Sequence, residues 1–194
     1  MTQTQTYTLD SFIADVRNAF ASTPDPVARA EAVRGHLRQL LAVPGWLEER
    51  LQLPAEGGFG RHDLHVDAEY GHPAPGFLVM CSVQRPGQSG TPPHDHGASW
   101  VVYGVYKGAI EQRKYRWAYP EAPTKSAPKL EESERYVQGE GEVAYFLPGE
   151  IHSTGNVSAG RSLVVRVEAQ KLDGVWRHRY DKAANTARAF QAGA

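Results

Sequence analysis

Two of the eight histidines are separated by a single residue, in Pro92-Pro93-His94-Asp95-His96-Gly97, and a third, His152, follows the dipeptide Pro148-Gly149. In extended chain, residues two apart project to the same side, so the imidazoles of His94 and His96 can reach one ion. A third ligand must come from elsewhere. The segment Gly141 to Asn156 supplies it, with a strand ending at Phe146, a Pro-Gly turn, and His152 opening the next strand. His94, His96 and His152 are therefore the expected metal ligands. Other histidines lack this setting: His36 falls in a helical stretch, His62 and His65 near a strand edge, and His72 in a Gly/Pro turn. Either motif alone is a weak signal; both in order, separated by strands, are a strong one.

The elements that must hold these residues fall into two parts. From Leu9 to Leu51 the apolar residues recur at helical spacing: Phe12, Ile13, Val16, Ala19 and Phe20, then Val33, Leu37, Leu40 and Leu41, then Trp46, Leu47 and Leu51. Asp10 or Ser11 can cap the first helix, and Pro24 and Pro26 separate it from the second. After Pro54, short runs rich in Val, Tyr, Phe and Ile alternate with Gly/Pro breakers: 64–66, 77–83, 100–106, 110–117, 143–146 and 162–168. This pattern predicts a mainly β, antiparallel sandwich or barrel. The expected division is a helical extension over 1–55 packed on a barrel over 56–182, then a polar, alanine-rich tail over 183–194, read as a helix or a frayed end. Glu121 to Glu134, rich in proline and charge, reads as a surface loop.

A formal net charge of −1 and a pI near 6.7 lack the basic excess that nucleic-acid binders need to displace counterions, so no nucleic-acid partner is expected. Cys81 is the single cysteine. It lies in the apolar run Phe77 to Val83, which reads as core and not as a reactive thiol. Met1 to Thr8 is polar and lacks the apolar centre of a signal peptide, and no apolar run has the length of a membrane span. The expectation is a cytoplasmic protein with a small-molecule substrate and no membrane partner, its oligomeric state left open.

The two histidine segments resemble the two motifs of the cupin superfamily: HxH followed by a strand and a glycine, then a glycine, a strand, a Pro/Gly turn, a histidine and an asparagine. The resemblance covers roughly Phe77 to Glu168. It implies a double-stranded β-helix, a jelly-roll barrel, carrying the N-terminal helices. Many cupins place a glutamate four or five residues beyond the second histidine; here those positions are Trp100 and Val101. A neutral three-histidine face leaves the ion its full charge, which favours anionic ligands and open coordination positions. Fe(II) is the first expectation, with Zn, Ni or Mn as alternatives.

The run Pro92-Pro93-His94-Asp95-His96-Gly97, continued by Trp100-Val-Val-Tyr-Gly-Val-Tyr-Lys-Gly108, resembles the cysteine dioxygenase family, especially its bacterial mercaptopropionate dioxygenase-like branch. The Trp46-Leu47 segment and Leu172-Asp-Gly-Val-Trp-Arg177-His-Arg-Tyr-Asp181 look like that branch too. The resemblance implies that O2 is added to a small anionic substrate, a thiol carboxylate first, giving a sulfinate. It sets Arg177 where a substrate carboxylate is paired, through a bidentate guanidinium fork; a surface ion pair is the equal alternative. The family's Ser-His-Tyr relay is replaced by Val164, Arg166 and Glu168, and the tyrosine-linked cysteine by Val101. Alternation puts Val164, Arg166 and Glu168 on one face, so Arg166 and Glu168 are expected as a charged pair beside the metal. Two alternatives stay open: an oxygenase acting on a non-thiol enolisable compound, with Glu168 as base, and a non-redox Zn or Ni enzyme or sensor.

Overall fold

Thr8, and not Asp10 or Ser11 as expected, caps the first helix, its hydroxyl accepting the Ser11 N–H at 3.1 Å, and α1 (Leu9–Ser22) then buries Phe12, Ile13, Val16, Ala19 and Phe20 along one stripe. Helix α2 (Pro26–Leu41) starts after Asp25, whose carboxylate accepts from Val27 and Ala28 N–H. Pro26 sits in its first turn, where a missing N–H costs nothing. The short α3 (Trp46–Leu51) is anchored by the fully buried Leu47. The structure, a computed structural model, describes residues 6–88, 90–118 and 129–191.

Strands β1 (Gly60–Val66), β2 (Leu78–Gln84), β3 (Val101–Lys107), β6 (Val143–Phe146) and β8 (Ser162–Glu168) form one antiparallel sheet in the order β1-β2-β8-β3-β6. Strands β4 (Ile110–Trp117), β5 (Leu130–Gln138) and β7 (Ile151–Asn156) form a second, in the order β5-β4-β7. From β3 onward the chain passes back and forth between the sheets, the winding of a double-stranded β-helix. A final hairpin pairs β9 (Arg177–Asp181) with β10 (Thr186–Phe190).

Strand alternation sorts the larger sheet's side chains between two cores. Val79, Cys81, Val83, Val102, Leu163, Val165 and Val167 point to the helices and share one cluster with their buried stripes. Val101, Tyr103, Val105 and Val164 point inward, joining Ile110, Phe146 and Leu172. Gly104 lies on the helix side, where a Cβ would come within 2.8 Å of Leu37 and 2.7 Å of Leu41, so its bare backbone lets α2 lie flat on β3. Cys81 is buried in the helix-side core, and burial pushes its thiol up to about 12, which leaves it a hydrophobe. Among the described residues no helix is long and apolar enough to cross a membrane.

Three further sequence expectations need correction. His94 and His96 do not lie in a regular strand: only His94 forms a bridge, and β3 begins at Val101. Pro92 and Pro93 cannot donate to a ladder, and Gly97 turns the chain with a positive φ of 62°, so the extended segment stays short. The expected loop over 121–134 is strand from Leu130, the residues before Lys129 lying outside the described ones. Glu131, Glu132 and Glu134 stand opposite Arg116, Tyr115 and Lys114 of β4, so opposite charges compensate across the ladder on an exposed face. Part of the expected tail is also strand, with Thr186–Phe190 paired to Arg177–Asp181. The ends, 1–5 and 192–194, lie outside the described residues.

Candidate metal centre

His94 and His152 come from different segments, yet their backbones are locked together. The N–H of each donates to the carbonyl of the other, at 2.9 and 3.0 Å. This exchange fixes the first motif against β7 of the smaller sheet. His96, two residues on, turns to the same side, and the ligand atoms of His94, His96 and His152 all lie within 4.8 Å of one another. His96 and His152 are fully buried, while His94 keeps an edge at the surface. No other group of three or more potential ligands gathers this way among the described residues.

The three rings have the character that a metal site requires. Burial depresses the basicity of all three: His94 is lowered to about 4, and His96 and His152 well below the ordinary histidine value, with the cationic Arg166 adding to each. They are neutral near pH 7, with lone pairs free, as a divalent ion needs. His94 Nδ1 lies 3.0 Å from the Pro92 carbonyl and His152 Nδ1 lies 3.3 Å from Gln112 Oε1, which leaves the Nε2 atoms facing inward. The Nε2 atoms of His96 and His152 are 3.4 Å apart. Phe146 stacks on His152 at 3.8 Å between ring centroids and holds its plane. Trp100 and Val101 are both fully buried and offer no acidic ligand. Three neutral imidazoles thus fit a Zn²⁺ or Fe²⁺ ion and leave coordination positions for other ligands.

Tyr103, on β3, brings a hydroxyl to the Nε2 side of the rings. Its hydroxyl lies 3.3 Å from His96 Nε2 and 3.4 Å from His152 Nε2, and burial raises its pKa, so it is a neutral phenol. Nothing in the sequence motif points to it, although alternation with Val101 and Val105 along β3 gives its direction.

Beyond the phenol lies a charged wall. Arg166 stands 5.2 Å over the Tyr103 ring, and its Nη2 is 2.8 Å from Glu168 Oε1. Glu168, 2% exposed, also accepts the Leu172 N–H at 3.2 Å. Arg166 Nε and Nη2 are buried, and neither makes a well-aligned hydrogen bond among the described residues. Arg177, half-buried at the start of β9, stacks 4.8 Å over Phe190, and its buried Nε is likewise unpartnered. Burial and then the Arg166 charge lower the Arg177 pKa, so the two guanidiniums act on each other. Among the described residues no carboxylate lies within ion-pairing distance of Arg177.

Asp95, between the two motif histidines, faces the opposite way. Its carboxylate accepts from Gly97 N–H at 2.9 Å, from His178 N–H at 3.2 Å and from Tyr180 hydroxyl at 2.7 Å, and His178 Nδ1 lies 3.1 Å away. The β9 hairpin is thereby tied to the ligand segment, and Arg177 with it. A Cβ at Gly97 would lie 2.3 Å from the Trp176 carbonyl, so this close approach needs glycine.

No family model and no curated protein matches the chain. Among solved structures, an uncharacterized conserved protein with a double-stranded β-helix domain from Klebsiella pneumoniae is 15% identical, with a TM-score of 0.44, covering 76% of this chain and 89% of its own. The Cnp3 cupin domain of Schizosaccharomyces pombe is 12% identical with a TM-score of 0.44, covering 62% and 67%. An oxalate oxidase in complex with the substrate analogue glycolate is 20% identical with a TM-score of 0.41, covering 62% of this chain and 57% of that one.

Proposed function

We propose that the protein is a metal-dependent oxygenase, with Fe(II) as its ion, that adds both atoms of O2 to a small anionic substrate. A thiol carboxylate is the first choice, RS⁻ + O2 giving the sulfinate RSO2⁻. The observation that carries this reading is the juxtaposition of three neutral histidines with two guanidiniums whose buried Nε groups have no hydrogen-bond partner among the described residues. His94, His96 and His152 would hold the ion, which supplies a redox-capable centre with positions for a thiolate and O2.

The remaining chemistry belongs to the chain. Arg177, and the Arg166 Nε that its ion pair with Glu168 leaves free, present donors that a substrate carboxylate would satisfy, and charge-assisted hydrogen bonds of this kind orient as well as bind. Once the imidazole lone pairs are taken up by an ion, the Tyr103 hydroxyl loses the acceptors it now faces and becomes a donor toward the substrate. Glu168 holds Arg166 in place and limits the excess of positive charge. Val101, Val105, Val164, Phe146 and Leu172 keep the floor apolar, which strengthens every charge interaction above it.

A second reading is favoured by the buried Glu168 carboxylate. In it, Glu168 would take the proton of a non-thiol enolisable compound, and the ion would supply positive charge that favours the enolate.

Oxygen uptake by the Fe(II)-loaded protein tests both. Uptake stimulated by cysteine or mercaptopropionate, with a sulfinate product, is expected. Uptake with a β-diketone but no thiol would move the assignment to the second reading. Retention of zinc with no iron binding would end the oxygenase reading and leave a non-redox enzyme or sensor.

A further inference from the structure

Gln112 on β4 and Gln138 at the end of β5 are 0% and 2% exposed, buried amides that metal ligation does not explain. Gln138 Nε2 donates to two backbone carbonyls, Tyr103 O at 2.7 Å and Glu142 O at 2.8 Å. A carbonyl can only accept, so the nitrogen of this amide must face that side and its oxygen the other. Gln138 Oε1 accepts from Gln112 Nε2 at 3.2 Å. That commits the second amide as well, and turns its Oε1 toward His152 Nδ1 at 3.3 Å. Reversing Gln112 would set oxygen against oxygen; reversing Gln138 would set its oxygen against two carbonyls. Either leaves buried polar groups unpaired, which proteins avoid.

We infer that Gln138 and Gln112 form a one-way amide chain that commits His152 to its Nδ1–H tautomer, so that the Nε2 lone pair faces the site before any ion arrives. The chain's polarity is set at its far end by backbone that cannot donate, and each link passes it on. His94 reaches the same state more simply, through the Pro92 carbonyl. His96 Nδ1 has no partner among the described residues, so its tautomer is left to the site. Gln112 and Gln138 are positioning residues: neither is a ligand, and each acts through His152. The tautomer follows from the hydrogen bonds alone; its effect on affinity rests on the metal reading above.

The test is nitrogen-15 NMR of the histidine rings in the full-length metal-free protein near neutral pH, with His152 assigned by the signal lost in His152→Ala. A protonated Nδ1 and a bare Nε2 on His152 are expected; an Nε2–H ring overturns the inference. Gln112→Met and Gln138→Met keep the length of the side chain but cut the chain at successive links. Each is expected to admit the Nε2–H form and to weaken Zn²⁺ binding about 10- to 100-fold. An unchanged tautomer in both variants would overturn the inference. If one variant fails to fold, the wild-type spectrum and the other variant decide. A tautomer that shifts as expected in a protein that never binds zinc upholds the amide chain and removes the metal reading.

Discussion

The Tyr180 hydroxyl donates to the Asp95 carboxylate at 2.7 Å, joining the residue between two candidate ligands to a strand 85 positions further along the chain. Tyr180 is pushed well above its ordinary pKa by burial and by this carboxylate, so the donor keeps its proton. Tyr180→Phe removes one hydrogen bond to a buried charge and should cost about 1.5–3 kcal/mol, read as a lower urea midpoint with an unchanged slope. The loosened hairpin carries Arg177, so KM for a carboxylate substrate should rise in the same variant. A melt identical to wild type would show that the hairpin is held by other contacts.

His152→Ala should abolish retention of metal, measured as metal per protein after gel filtration. The ring is one of three donors, and two imidazoles separated by a single residue make a poor site. A variant that keeps stoichiometric iron would contradict the ligand set.

Arg177→Ala should raise KM for a carboxylate substrate while metal content stays at wild-type level, because Arg177 is not among the clustered ligand residues. Losing a charge-assisted bidentate contact typically costs about 1.5–3 kcal/mol, roughly 10- to 150-fold in kcat/KM. Normal kinetics would remove Arg177 from substrate binding.

Tyr103→Phe should leave metal content intact and lower kcat/KM, because the phenol contributes a donor and no ligand. Steady-state kinetics beside metal analysis separate the two effects. Loss of metal in this variant would instead make the phenol part of the coordination shell.

Stability of the metal-free protein should fall as pH drops from about 6.5 toward about 4. Burial depresses His94 from its ordinary value to about 4 and holds His96 and His152 well below theirs. In that window the unfolded chain binds protons that the native rings refuse, so acid favours unfolding. Urea titrations at three pH values across the window check this; a flat profile would mean that the native rings are protonated.

How far these features could be read in advance depended on sequence distance. The ligands were legible because their signals are local: two histidines at a strand-like spacing, and a histidine after a Pro-Gly turn. The inward direction of Val164, Arg166 and Glu168 follows from alternation along β8, and the structure puts Val164 in the inner core and Arg166 against Tyr103. The partners of Asp95 were not legible, since nothing near residue 95 announces a strand more than 80 positions away. Strand β5 was hidden for another reason. Its exposed face is carried by Glu131, Glu132, Glu134 and Arg135, and a strand solvated in this way has the composition of a loop. The amide chain is not legible in the sequence because Gln112 and Gln138 sit amid polar residues on alternating strands, where glutamine reads as surface.

The mutual backbone exchange between His94 and His152 ties assembly of the three rings to contacts between distant parts of the chain. His96 and His152 lie 56 positions apart, so the three rings meet only through long-range closure of the chain. Such long-range closure is the slow part of assembling a β-rich chain. An ion that binds only the finished barrel cannot speed its nucleation; it acts afterwards, as a latch that slows escape. Added chelator should therefore accelerate unfolding while leaving the refolding rate untouched.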